Sequence, residues 1–160
     1  MTMMRIRPFA VEDTEAVIAL WRDCDLTRPW NDPARDIDRK LVRADDLLLV
    51  RAVDDRVVGT VMAGYEGHRG WINYLAVDPK ERGVGHGRAL MAAAEFRLRE
   101  LGCPKINLQV RATNPDAIAF YESIGFNVDA AVSMGKRLVI ENRRVETRAA
   151  DPESSATPPE

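Results

Sequence analysis

Cysteine and histidine are scarce in this chain of 160 residues: Cys24 and Cys103, His68 and His86. The cysteines lie far apart and form no CxxC, so neither a disulfide framework nor a zinc site is expected. The thiols read as reduced, in a cytoplasmic protein. Long apolar runs are missing as well. The best, Val57 to Tyr65, is strand-sized, well short of the roughly 18 residues a membrane span requires. Arg5 and Arg7 have no apolar stretch behind them, so no signal peptide is expected. There is no basic excess either: 23 Lys and Arg stand against 25 Asp and Glu, a formal charge of −2. That balance argues against a nucleic-acid binder.

What the chain has is apolar residues, 46% of the total, enough to exclude global disorder. Surface scaling for a mass of 17.9 kDa gives roughly 8,000 Å² folded against about 26,000 Å² unfolded, so one domain can bury a core without disulfides or metal. The acidity is concentrated at the end. Ala149 to Glu160 holds three acids and no base, leaving 23 basic and 22 acidic residues before it, a charge of +1. We expect one domain over residues 1–145 and a disordered acidic, Pro-rich tail over 146–160.

Hydrophobic periodicity predicts the elements. Met4 to Arg7 reads as a short strand. Glu12-Asp13-Thr14 opens a helix carrying Val17, Leu20, Trp21 and Cys24 on one face. After the breaker-rich loop Thr27 to Pro33, a polar helix with Ala34, Ile37 and Leu41 inward is expected. Leu47–Val53 and Val57–Tyr65 form a hairpin through Asp54-Asp55-Arg56, and Trp71–Val77 is a third strand. The next helix has Leu90, Ala94, Leu98 and Leu101 inward and Gly102 beyond its end. Lys105–Arg111 is a strand, and Asn114-Pro115-Asp116 starts a helix bearing Ile118 and Tyr121 that stops at Gly125. Phe126 to Val139 reads as two final strands. The order describes a mixed α/β (α+β) sheet with helices on its faces.

The most informative stretch is Glu81 to Leu90, between a strand and a helix, with glycines at 83, 85 and 87. Such glycines let backbone N–H groups converge at a helix N-terminus, a site for phosphate. A Walker loop needs Lys-Ser or Lys-Thr after the glycines, and a dinucleotide fingerprint needs a third glycine where Arg88 or Leu90 stands. Both templates fail. A tight strand-to-helix turn is the competing account of the loop taken alone.

Arg82-x-x-Gly85-x-Gly87 matches the pyrophosphate loop of GNAT acyltransferases. Asn114, Ala117, Ala119-Phe-Tyr-Glu122 and Gly125-Phe126 resemble the second half of the same family, and the resemblance runs from Met4 to Asn142. Cys24 to Pro33 and Gly64 to Gly70 resemble the YpeA-like bacterial subgroup in particular. The resemblance implies a GNAT-type mixed central sheet with a splayed parallel strand pair, Trp71–Val77 and Lys105–Arg111. It also implies an acetyl-CoA-dependent N-acetyltransferase that transfers directly to the primary amine of a small molecule or peptide, with no metal. A non-catalytic acyl-CoA-binding module of the same fold is the alternative.

The implied cofactor contacts are the backbone of Leu75, Ala76 and Val77, the loop Arg82, Gly83, Val84, Gly85, His86, Gly87 and Arg88, and Asn114 and Tyr121. Backbone groups of the same strand would stabilise the developing oxyanion. A tyrosine ordinarily titrates near 10, so Tyr121 would protonate the leaving thiolate.

The acceptor amine must be neutral to attack. A lysine amine is neutral in only about one molecule in 2,500 at pH 7, an α-amine in roughly one in seven. Ribosomal-protein N-terminal acetyltransferases resemble this chain and place a glutamate where Gln109 stands, twelve residues before Tyr121. Gln109 cannot accept a proton. Glu66 is the replacement we assign, with Asp32 or ordered water as alternatives, and Trp30 and Tyr65 as candidates to line the acceptor pocket. The sequence leaves oligomeric state open; the resemblance allows a homodimer, since dimers are common in the family and a mixed sheet leaves edges to cover.

Overall fold

The computed structural model describes residues 1–141. The expected end of the domain at 145 and the tail over 146–160 lie outside the described residues. The elements are β1 (Met4–Pro8), α1 (Thr14–Asp23), α2 (Pro33–Val42), β2 (Leu48–Val53), β3 (Arg56–Tyr65), β4 (Gly70–Val77), α3 (His86–Glu100), β5 (Ile106–Leu108) and α4 (Pro115–Ser123). The strands lie in the order β1-β2-β3-β4-β5. All neighbours are antiparallel except β4 and β5, which run parallel.

Local chemistry explains most boundaries. Asp54 and Asp55 have φ of 47° and 64°, the left-handed pair that a two-residue hairpin requires and that Asp tolerates. Asp32 caps α2 by accepting from the Ala34 and Arg35 amides at 3.0 and 3.4 Å, with Pro33 at the first helical position. Asn114 does the same for α4, accepting from Ala117 at 3.2 Å ahead of Pro115.

The sheet separates two cores. On one face α3 packs Leu90, Met91, Ala94 and Leu98 against Leu47, Leu49, Val61, Ala63 and Ile72. On the other, Val17, Leu20 and Trp21 of α1 and Ile37 of α2 pack against Leu48, Val50 and Ala76. Alternation along β2 sends Leu47 and Leu49 one way and Leu48 and Val50 the other. Gly59 permits close approach at the centre: a Cβ there would meet Leu90 Cδ1 at 2.8 Å and the Ala76 carbonyl at 3.0 Å.

Four expectations are corrected. Ala34 and Leu41 are exposed, because α2 turns only Ile37 fully inward and spends its remaining inner positions on Asp36 and Lys40, which bond to Tyr74 and to the Ala63 carbonyl. Leu101 is exposed because α3 ends at Glu100. The strand expected over Lys105–Arg111 shortens to Ile106–Leu108, since β4 offers no partner beyond Ile72. Phe126 to Val139 forms no strand. Its attachments to the β5 region are between side chains, Lys105 and Asn107 to Asp129 and Gln109 to Ser133, and a ladder needs backbone partners.

Candidate active site

The register between β4 and β5 pairs Gly70, Trp71 and Ile72 with Ile106, Asn107 and Leu108 and then stops. Among the described residues, β4 from Asn73 to Val77 has β3 on one side and a gap on the other. Strand geometry decides which residues face that gap. The Asp78 amide donates to the Val58 carbonyl at 2.8 Å, and Ala76 pairs with Thr60 two residues along. Backbone polar groups alternate between the two edges of a strand. Ala76 therefore turns its N–H and C=O to β3, and Leu75 and Val77 turn theirs to the gap. The Val77 carbonyl confirms the direction, accepting from Arg82 Nε at 3.2 Å and from Cys24 Sγ at 3.3 Å. Of the expected backbone contacts, Leu75 and Val77 stand on the open edge, and Ala76 is corrected: its polar groups are committed to β3.

Beyond Val77 a short turn, Pro79–Glu81, leads into the glycine loop. Gly83 and Gly85 have φ of 82° and 92°, with open space where a Cβ would stand. Glycine is needed there for conformation and not for room. Gly85 caps α3 without any side-chain bond, and the first turn holds no acid. Among the described residues the first N–H groups of α3 are thus unspent, and the helix dipole adds positive potential, which suits an anion. Arg82, Val84 and Arg88 are exposed around them. His86 differs: its ring is buried, with Nε2 at 3.9 Å from Glu81, so only its backbone belongs to the loop. A Cβ on Gly87 would touch Phe120 at 3.4 Å, which places α4 directly against the start of α3.

That contact brings the Tyr121 helix to the loop. Tyr121 is partly buried, edge-on to Phe120 and Phe126 with ring centroids 5.2 and 5.7 Å away. Burial pushes its hydroxyl up to about 12, so it holds its proton throughout the neutral range. It also lines a cavity of about 950 Å³ between β5, α4 and residues 126–134. Asn114 is exposed and its oxygen serves as the α4 cap.

The expected base fares differently. Glu66 accepts from the His68 amide at 2.7 Å, from the Arg69 amide, and from Trp71 Nε1 at 3.1 Å. The Arg69 bond first, then those of His68 and Trp71, hold its carboxyl below the usual range, the reverse of what a base needs. It also precedes the paired end of β4, opposite the gap. Asp32 is spent on the α2 cap and an ion pair with Arg35 at 3.6 Å. Gln109 donates to Ser133 Oγ at 2.6 Å. The Tyr65 hydroxyl donates to the Gly67 carbonyl at 3.2 Å, and Trp30 is half exposed beside Arg137.

Sequence reasoning missed a buried polar chain behind the gap. Trp21 Nε1 donates to Thr60 Oγ1 at 2.9 Å, and Thr60 donates to the Tyr74 carbonyl at 2.9 Å. Tyr74 stacks on Trp21 with centroids 3.8 Å apart and donates its hydroxyl to Asp36 at 2.6 Å. Burial, then the Asp36 bond, raises the Tyr74 hydroxyl well above its ordinary range. Its φ is +48°, a conformation that costs a non-glycine residue about 1–3 kcal/mol. The only hint in the sequence was Thr60 inside an apolar run.

Residues 14–126 match the model of the Acetyltransferase (GNAT) family. The chain belongs to the GNAT acetyltransferase family. As a GNAT protein it is an enzyme of the N-acetyltransferase type. It is 50% identical over 137 residues to an acetyltransferase of Sodalis glossinidius, covering 85% of this chain and 96% of that one. It is 49% identical over 136 residues to one of Pectobacterium atrosepticum, covering 85% and 96%. In fold it is similar to the PaiA N-acetyltransferase of Thermoplasma acidophilum solved with coenzyme A, at a TM-score of 0.72 and 19% identity, covering 81% of this chain and 93% of that one. Ard1 of Thermoplasma volcanium gives 0.68 at 28% identity, covering 79% and 84%. Among the described residues no helix is long and apolar enough to cross a membrane, and no three His, Cys, Asp or Glu side chains gather as a metal site.

Proposed function

We propose that this GNAT enzyme uses acetyl-CoA and transfers the acetyl group directly to the primary amine of a small molecule or peptide. The observation that carries the reading is the open edge of β4, with Leu75 and Val77 facing the gap and the glycine loop at its end. The pantetheine arm is amide-bearing, so it fits an unpaired strand edge as an added strand would. Gly83 to Gly87 would hold the pyrophosphate through backbone N–H groups, assisted by Arg82 and Arg88, and Asn114 would contact the cofactor from the start of α4. Loading the loop draws on Arg82, whose guanidinium now lies against Val77.

Acetyl-CoA supplies the thioester; the chain positions it and manages protons. A backbone N–H on the open edge is the donor we assign to the thioester oxygen as it gains charge. The amine nitrogen bonds to the acetyl carbon and the carbon–sulfur bond breaks. Tyr121 gives its proton to the departing thiolate and is reprotonated from solvent. The proton lost by the amine passes to water, because Glu66 and Asp32 are engaged elsewhere.

The test is thiol release from acetyl-CoA across polyamines, amino acids, aminoglycosides and peptide N-termini, with acetyl-CoA binding measured alongside. Release on at least one amine is expected, and neither binding nor release on any of them sinks the reading. Tyr121→Phe should slow turnover by about 100-fold, within the range of one general acid, with acetyl-CoA affinity kept within a few fold. Full activity in that variant removes the acid role.

Three further readings accompany this one. Relatives at 46–50% identity in several enterobacteria support the YpeA-like subgroup. The unpaired thiols of Cys24 and Cys103 support a cytoplasmic setting. Exposed Val128, Val132 and Met134 beside β5, the edge strand, support a homodimer, for which sedimentation at micromolar concentration is the check.

A further inference from the structure

We propose that Thr60 is a positioning residue for the acyl-CoA cleft, acting through the backbone of Tyr74. The inference rests on the acetyl-CoA reading above.

The register between β3 and β4 slips at this point. Thr60 pairs with Ala76 but Met62 pairs with Asn73, so Tyr74 and Leu75 together oppose Val61. This is a β-bulge, and its extra residue changes the phase of everything after it. Asn73 pairs with β3; under unbroken alternation Leu75 and Val77 would do so too, leaving Tyr74 and Ala76 toward the gap. With the bulge, the assignment reverses. The side chains record the same reversal. Ile72 lies in the α3 core, yet Tyr74 and Ala76 pack on the α1 side and Leu75 and Val77 on the α3 side.

The bulge therefore selects which backbone groups a bound pantetheine arm would meet, and something must hold it there. Tyr74 occupies a left-handed conformation usually left to glycine. Thr60 is fully buried, and its one hydroxyl engages both sides of the bulge. It donates to the Tyr74 carbonyl and accepts from Trp21, whose ring covers the Tyr74 ring. Asp36 fixes the far end of the Tyr74 side chain from α2. Removing the hydroxyl takes the Thr60 donor from the Tyr74 carbonyl and the acceptor from the Trp21 N–H, and releases the phase of β4.

The experiment compares wild type, Thr60→Val, Thr60→Ser and Tyr74→Phe. Two quantities are read: acetyl-CoA affinity by calorimetry, and amide exchange of residues 74–77 in the ligand-free proteins. Thr60→Val should weaken binding by about tenfold and speed exchange at Ala76, whose N–H is paired with β3, while Thr60→Ser stays within about twofold on both. Tyr74→Phe loses only the Asp36 bond, keeps the ring stack, and should weaken binding by about threefold. A Thr60→Val protein that is less stable yet binds and exchanges as wild type does overturns the proposal. Should Thr60→Val not fold, Thr60→Ala, which also removes the hydroxyl, is read in its place, and binding and exchange unchanged from wild type there overturn the proposal. Wild-type protein that binds no acetyl-CoA removes the cofactor reading, and exchange in the ligand-free set then decides the role of Thr60 by itself.

Discussion

The two faces of the sheet are built from different chemistry. The α3 face is aliphatic throughout its fully buried part, from Leu47 to Leu98. The α1 face surrounds its apolar residues with hydrogen-bonded groups: Trp21, Thr60, Tyr74 and Asp36 in one chain, and Arg7 with Asp13 in a bidentate pair at 2.6 and 2.9 Å. Apolar contacts carry little directional information, whereas a buried hydroxyl with a donor and an acceptor fixes geometry and is costly to leave unpaired. The α3 face holds the sheet together, and the α1 face decides how β4 is set within it.

That division can be broken from either side. Leu98→Ala, on the aliphatic face, should produce the largest loss of stability, about 2–5 kcal/mol by urea unfolding, with acetyl-CoA affinity within about twofold of wild type. Thr60→Val should cost less, about 1–3 kcal/mol, and yet weaken acetyl-CoA binding more than Leu98→Ala does. If both variants lose stability and affinity in the same proportion, the distinction between the faces collapses. Acid sensitivity should belong to the α1 face. The Arg7 bond holds Asp13 below the usual carboxylate range. The stability it contributes is therefore complete above the unfolded value near 3.9 and is lost as pH falls through the folded value. Urea midpoints measured from pH 6 down to pH 2 should fall more gently in Asp13→Asn than in wild type. The smallest effect should come from Glu66→Gln, which keeps an oxygen to accept the Arg69 and His68 amides. A change in kcat/KM below about threefold is expected, since no proton transfer is assigned to it. A hundredfold loss would restore Glu66 as the base.

The same contrast explains what the sequence disclosed. Helical and alternating periodicity found Val17, Leu20, Trp21, Leu90, Ala94 and Leu98, because burial of apolar residues follows the period of the element. The caps at Asn114 and Gly102 and the glycine loop were legible from residue type, since left-handed backbone and unspent N–H groups favour few side chains. Partnership was not legible. Phe126 to Val139 reads as strand, but whether it joins a ladder depends on a β5 edge only three residues long. The Tyr74 bulge left no mark, because the position calls for glycine and holds tyrosine. Glu66 read as a loop carboxylate open to substrate, and only coordinates show three donors converging on it.

The placement of the two cysteines makes the enzyme self-reporting. Cys24 Sγ lies 3.6 Å from the Arg82 guanidinium and 3.3 Å from the Val77 carbonyl, at the mouth of the gap. Cys103 sits at the other end of β4, near Gly70 and 3.4 Å from the Lys105 carbonyl. Under the proposed function, an anion that draws Arg82 away would change the shielding of Cys24 from a thiol-reactive dye, and Cys103 would serve as an internal reference within the same molecule. Ligand screening would then need no engineered label.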